Sequence, residues 1–425
     1  MRLSGCPAIA AVVAALGLVA CTSGTPKATA TPHPAPSSPV VSTVAVPGCS
    51  AATGAGRQLP AGLTHLSSVP GDPFGVVATA GGRWTFVSLL PSAGRGEVGV
   101  FDDTGSGGPR LVRQIPVGGQ PLGVALTPDG RYLLAANGSG ATVISVQAAE
   151  QGTGKAVLGT LTAGSAGRLG GGAIEVAASP DGRFAFVSLE DSGQIAVFNL
   201  QQALASHFHT AGFVGDVPTG VAPVGLAVSP NGDWLYSTSE VASPHALRRV
   251  IRRGHTAATE GGEGTLAVIG MHKAETDPAH ATVSTVVAGC SPVRVISSTS
   301  GGTVWVTARG SDMLLGFSSS RLRGDPAHSL IARVEVGEAP VGLALVDGGQ
   351  RVVVADSDRF GQQGAKSSLA VVNVAAALAH QPALAGYLPA GGFPRQMALE
   401  PDGRVLLVTD FQSEQLETVN AANLP

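Results

Sequence analysis

The sequence predicts an all-β protein, a closed ring of seven four-stranded sheets: a seven-bladed β-propeller. Three observations carry that reading. One hairpin signature recurs, as in "GQPLGVALTPDGRYLLAANGSGATVISVQ" (119–147), "GAIEVAASPDGRFAFVSLEDSGQIAVFNL" (172–200) and "GFPRQMALEPDGRVLLVTDFQSEQLETVN" (392–420). The segments around it are short, β-branched and of period two, which excludes a helical solenoid. The chain of 425 residues carries 59 Gly and 29 Pro with only 4% aromatics, as expected of many short elements separated by turns.

In chain order, the first element is a targeting segment. Arg2 supplies a minimal positive region, and "AIAAVVAALGLVA" (8–20) is an apolar run too short to span a bilayer comfortably. It ends in Leu18–Val19–Ala20–Cys21, which looks like a bacterial lipobox, a signal in which the Cys21 thiol receives a lipid and becomes the new N-terminus. Residues 1–20 are therefore read as a lipoprotein signal. The Ser/Thr/Pro/Ala-rich stretch that follows cannot bury a core, so 21–56 is read as a disordered tether and 57–425 as the propeller. Export to the outer surface of the cytoplasmic membrane follows, in a GC-rich, actinobacterial-type composition. Cys49 and Cys290 then remain in the mature fold, a disulfide candidate, with free thiols or an intermolecular bond as the alternatives.

Aligned on the turn, seven first strands begin near 73, 121, 173, 223, 292, 340 and 394. Their turns read "AGGR" (80–83), "PDGR" (128–131), "PDGR" (180–183), "PNGD" (230–233), "SGGT" (300–303), "DGGQ" (347–350) and "PDGR" (401–404). Asp-Gly and Asn-Gly accept positive φ and join antiparallel strands. Four strands per unit make a blade. "GLTHLSSV" (62–69) precedes the first blade, and the last blade stops at its third strand, so the N-terminal strand is expected to complete blade 7 as its outer strand. Two segments read as helical, "NLQQALASHF" (199–208) and "NVAAALAH" (373–380).

The motif set P-x-G-(V/L)-A, PDG and (V/L)-x-V-x-(N/D/T) resembles the YVTN-type repeats of YncE-like and lactonase-like seven-bladed propellers, over about 59–423. Blade 3 departs from it, with Ala173 in place of Pro, and blade 5 has one extra residue before its turn. The resemblance implies a fold; the shared motifs build blades and transfer no activity.

Chemistry is expected on the top face, where blade connections and the loops between second and third strands meet. The inner-strand column reads Gly75, Gly123, Glu175, Gly225, Arg294, Gly342 and Gln396, so Glu175, Arg294 and Gln396 are the informative departures. A second ring, from the ends of the second strands, offers Asn137, Arg309, Asp356 and Asp410, with Glu190 and Glu240 one step on. The blade 4 insertion carries a basic run, Arg248, Arg249, Arg252 and Arg253, unaccompanied by stacking aromatics. "HFH" (207–209) lacks an evident third ligand, and neither a haem, Walker nor nucleophile-elbow motif occurs, so no metal or cofactor is expected.

The formal net charge of −3 with 13% charged residues points to no nucleic-acid partner. The expected function is a lipid-anchored, monomeric binding module for an envelope protein, a glycan or a small ligand through its top face. The alternative is a lactonase-like hydrolase acting in the channel, with Glu175, Arg294 and Asp410 as its polar groups.

Overall fold

The PDG turns set the architecture. In blade 2, Asp129 Oδ1 accepts hydrogen bonds from Thr127 Oγ1 (2.6 Å) and the Arg131 amide (3.1 Å), and Gly130 takes φ 68°, so the chain reverses between Leu126 and Leu133. Asp181 does the same in blade 3. The computed structural model describes residues 41–425 apart from 43, 47, 50–53, 93, 105–107, 165–170, 243–261 and 362–365. The signal-like residues 1–20, Cys21 and the basic run Arg248, Arg249, Arg252 and Arg253 lie outside the described residues.

Seven antiparallel blades follow in sequence: 72–116, 124–162, 173–218, 221–290, 292–335, 340–389 and 394–420. Each inner strand contacts the next, and Pro394–Leu399 contacts Asp72–Ala78, so the ring is closed. The N-terminal strand Thr64–Ser68 pairs with Gln415–Asn420 and forms the outer strand of blade 7. Among the described residues the apolar core is divided into eight clusters: seven lie one between each pair of adjacent blades, and the eighth joins Val224, Val293, Val341 and Phe393 around the channel. Leu89 and Phe101 of blade 1, for example, pack with Leu407 and Leu416 of blade 7. Full burial of side chains of this size contributes roughly 1.5–3 kcal/mol each.

Hydroxyls stitch neighbouring blades at the channel wall. Thr307 Oγ1 receives the Arg294 amide (3.0 Å) and donates to the Val341 carbonyl of the next blade (2.7 Å). Thr409 joins the Gln396 amide (3.1 Å) to the Phe74 carbonyl (2.8 Å), and Ser88 joins the Gly75 amide to the Leu122 carbonyl. Blade 2 carries Ala136 in this column, and there the Gly123 amide donates straight to the Ile174 carbonyl (2.8 Å).

Two expectations are corrected. Among the described residues helices follow the third strand in five blades, not two: Val146–Gln151, Leu200–Ala205, Met271–Thr276, Ser319–Gly324 and Val374–Leu378. They are five or six residues long, too short for a periodicity signal; in four of them the side chain of Ser145, Asn199, Ser318 or Asn373 caps the first turn. His207 and His209 lie in the turn after the second of these helices. Described residues of the segment assigned to the tether contact the propeller: Val41–Ser42 pairs in parallel with the outer strand of blade 4, and Cys49 is disulfide-bonded to Cys290, with Cα atoms 5.3 Å apart. Backbone hydrogen bonds hold much of this segment, and these do not depend on an apolar composition.

Candidate functional site

The channel wall is built around a recurrent irregularity. In six blades the register between first and second strand shifts near the start of the inner strand, as between Pro73 and Val76 or Pro394 and Met397. Such bulges re-aim side chains. Here the residue in the Gly column and the residue before it both contribute to the channel.

The three departures from Gly meet in the channel. Glu175 of blade 3 accepts from Gln396 Nε2 of blade 7 (3.0 and 2.9 Å) and lies 3.3 Å from Arg294 Nε of blade 5. Arg294 Nη1 donates to the Val224 carbonyl (2.7 Å). Glu175 and Arg294 are only 5% and 6% exposed. Burial raises the Glu175 carboxyl, and Arg294 and then Gln396 pull it back down. Gly at the other positions leaves room for this: a Cβ on Gly123 would overlap Glu175 Oε1, and one on Gly75 would come within 2.6 Å of the Leu122 carbonyl. The result is a polar floor joining blades 3, 5 and 7.

The preceding column is apolar in six blades (Phe74, Leu122, Ile174, Val224, Val293, Val341) and Arg395 in the seventh. The Arg395 guanidinium sits 4.0 Å from the ring centre of Phe74, 5.0 Å from Phe393 and 5.1 Å from Phe411. Cation–π attraction accounts for its place. Among the described residues it has no ion pair, and its buried Nε has no hydrogen-bond partner. Loss of solvent, then the like charges of Arg294, Arg359 and Arg309, push it down to about 9. Arg359 approaches the same cage, 5.7 Å from the Phe393 ring centre, and is also lowered by burial and by Arg309. Arg309 is ion-paired with Glu240 at 2.9 Å, both groups buried. The Glu190 carboxyl beside them is raised by burial, by Glu240 and by Asp191. Four arginines (294, 309, 359, 395) thus face three glutamates (175, 190, 240).

The remaining sequence candidates are used elsewhere. Asn137 receives the Gln120 amide (3.1 Å) and donates to the Gly118 carbonyl (2.9 Å). Asp356 accepts from Ser368 Oγ (3.0 Å) and from the Gly337 backbone, and Asp410 accepts from the Gly391 backbone beside Glu417. Each stands at the last position of a second strand and caps the incoming blade connection, so it turns away from the channel. Arg395 and Arg359 were missed. The first was legible in the x position of P-x-G, where it breaks an apolar column; the second lies in a loop with no repeat to align. Among the described residues no group of His, Cys, Asp or Glu is arranged to hold a metal.

These features define a seven-bladed propeller with an arginine-rich channel mouth. The chain belongs to the lactonase family of seven-bladed β-propellers, whose model matches residues 94–360. None of the curated proteins matches it. Among solved structures it is similar to hydrazine synthase of Kuenenia stuttgartiensis, at 15% identity and a TM-score of 0.62, over 84% of this chain and 98% of that one. It is also similar to the β-propeller domain of Cps50 (Swd1) from Myceliophteria thermophila, at 13% identity and a TM-score of 0.56, over 84% and 99%. At these identities the likeness is one of fold.

Proposed function

We propose that the protein is a binding module whose top face takes a small anionic ligand, a carboxylate or phosphate, into the channel mouth. The observation that carries this reading is Arg395: a guanidinium in a phenylalanine cage, crowded by like charges and lacking a carboxylate partner among the described residues. A ligand anion would relieve that repulsion and form charge-assisted hydrogen bonds. The floor of Glu175, Arg294 and Gln396 would limit how deep the ligand goes. In this reading the chain is exported and anchored through lipidated Cys21, presenting the propeller outside the membrane; loss of a lipid mass from a Cys21→Ala chain tests that part.

The test of the ligand is calorimetric titration with inorganic phosphate and with mono-, di- and tricarboxylates, on the wild type and Arg395→Met. Binding of at least one probe, weakened more than about tenfold in the variant, is expected for loss of a charge-assisted pair. No heat from any probe at millimolar concentration would transfer the role to an envelope protein or glycan. Photo-crosslinking from exposed Phe360 in the loop that carries Arg359, with Gln202 on the bottom as control, would then capture it.

A second reading, hydrolysis of a lactone at the same mouth, is favoured by Glu190. A carboxyl raised by burial and by Glu240 is suited to proton transfer, beside arginines able to steady a developing oxyanion. Turnover of a lactone panel, abolished by Glu190→Gln while probe binding persists, would establish it.

A further inference from the structure

The N-terminal segment runs along the outer edges of four blades. Val41 and Ser42 lie opposite Thr285 and Val286 of blade 4. Val44 packs on the cluster between blades 4 and 5, and Arg333 of blade 5 donates to the Ala45 carbonyl. The Gly54 amide reaches Val336 (2.9 Å), and Tyr387 of blade 6 binds Gly54 through its hydroxyl (2.7 Å) and Arg57 and Leu59 through its backbone (2.9 and 2.7 Å). Thr64–Ser68 then completes blade 7.

The two ends of this strap are held differently. Beyond Gly54 it is secured by the Tyr387 contacts, buried Leu59 and a five-residue ladder. Upstream, the described residues make two strand pairings, one apolar contact and one arginine contact, which are few to fix a chain by themselves. The Cys49–Cys290 bond lies within that weaker half.

Its far end reaches the channel wall. Cys290 is fully buried, and its amide donates to Ser311 Oγ (3.1 Å). The Arg309 amide donates to the Ser291 carbonyl (3.1 Å), and Ser291 holds φ 44° directly before the inner strand that carries Arg294. One connection therefore joins the disulfide to the backbone of both channel arginines.

We propose that the Cys49–Cys290 bond is a redox-operated clasp, which seats the upstream half of the strap on blades 4 and 5 and holds the Cys290–Arg294 and Arg309–Ser311 backbone of the channel mouth. Cys49 is exposed and Cys290 is not, so reduction begins at Cys49. A thiolate of a dithiol reductant attacks Cys49 Sγ, the S–S bond breaks, and Cys290 leaves as a thiolate that takes up a proton. The reductant's second thiol, losing its proton, displaces the mixed disulfide and frees Cys49, whose thiolate is protonated in turn. Two electrons and two protons pass to the protein, and the reductant closes its own disulfide. Val41–Ser42, Val44 and Ala45 then lift from blades 4 and 5 while Thr64–Ser68 keeps the ring closed.

Hydrogen exchange on the full chain tests this without any ligand, so its outcome is independent of the anion reading. Oxidised protein, protein treated with a dithiol, and Cys49→Ser are compared; the variant leaves the buried Cys290 thiol in place and separates the clasp from side effects of reductant. Amides in 41–46, 285–294 and 309–311 are expected to exchange at least about tenfold faster in both opened forms, with 64–68 unchanged. Oxidised rates throughout, or faster exchange confined to 41–46, would overturn the proposal. So would simultaneous exposure of 64–68 with every blade, which would make the bond a staple of the whole fold.

Discussion

Two layers of the channel, one residue apart along the inner strands, treat charge in opposite ways. In the floor, Glu175 has Arg294 and Gln396 within 3.3 Å, and Arg294 also reaches a backbone carbonyl. In the mouth, Arg395 has three phenyl faces, the like charges of Arg294, Arg359 and Arg309 outweighing Glu240, and among the described residues no ion-pair contact. The polar groups of both layers are largely shielded from solvent. A buried charge in direct contact with an opposite charge fixes a structure, whereas one held without such a contact favours an arriving anion. The floor is therefore expected to govern stability and the mouth to govern binding.

The largest effect should come from breaking the floor on one side. Glu175→Ala leaves the Arg294 guanidinium buried without its carboxylate, which costs about 3–5 kcal/mol. Urea denaturation should show this as a lower midpoint, and Glu175→Gln should cost less because its amide oxygen still accepts from Gln396. If Glu175→Ala unfolds at the wild-type midpoint, the floor is no structural tie and the contrast between the layers fails.

A second contrast sets Glu175 against the carboxyl pair in blade 7. Asp410 and Glu417 are buried side by side; burial and then the Glu417 charge raise Asp410 to about 9, and burial raises Glu417 to about 7 against the pull of the Gly391 amide and Asp410. Burial lifts Glu338 and Glu400 to about 7 as well. In each case the folded chain holds protons that the unfolded chain has released, so stability falls as pH rises from about 4 and levels off above the folded values. The slope is about 1.4 kcal/mol per pH unit for each proton by which the two states differ. Asp129 and Asp181 are shifted downward, so they act in the opposite sense only on the acid side of the carboxylate range. Urea midpoints between pH 5 and 9 should decline, and Asp410→Asn should flatten that decline. A midpoint that rises with pH would mean the pair is ionised in the fold.

The two layers also differed in how well the sequence displayed them. Blade number, turn positions and the closing strand were legible because each repeats or completes a repeat, and Glu175, Arg294 and Gln396 stood out as exceptions in a glycine column. That these three meet across the ring follows from closure, which no local pattern encodes. Asn137, Asp356 and Asp410 misled because end-of-strand polar residues look alike whether they face a channel or cap a connection. Arg359 and the strap escaped notice for a common reason: their places depend on contacts distant in sequence, and their local composition is that of any loop or linker.

A smaller effect tests whether the stitching hydroxyls hold the two layers in register. Thr409 receives the Gln396 amide and donates to the Phe74 carbonyl, linking the floor to the cage across the seam between blades 7 and 1. Thr409→Val keeps the shape and removes both bonds, leaving a buried amide and carbonyl unsatisfied at about 1–3 kcal/mol. Ala136 shows that a blade lacking the hydroxyl can pair those groups directly, so a loss near zero would mean the seam readjusts as blade 2 does.

The smallest change in stability is expected at the residue on which binding depends most. Arg395→Met replaces a guanidinium that has no ion-pair contact among the described residues by an apolar chain of similar length among Phe74, Phe393 and Phe411. Lost cation–π attraction, about 0.5–2 kcal/mol, is offset by relief of desolvation and of repulsion from Arg294, Arg359 and Arg309. The urea midpoint should therefore stay within about 1 kcal/mol of wild type or rise, while anion binding disappears. The opposite pairing, a large loss of stability with binding retained, would make Arg395 a second floor residue and the cage its structural socket. Function and stability are separable in this channel only if the Glu175 contact holds Arg294 for the fold while Arg395, which has no such contact, is left for a ligand.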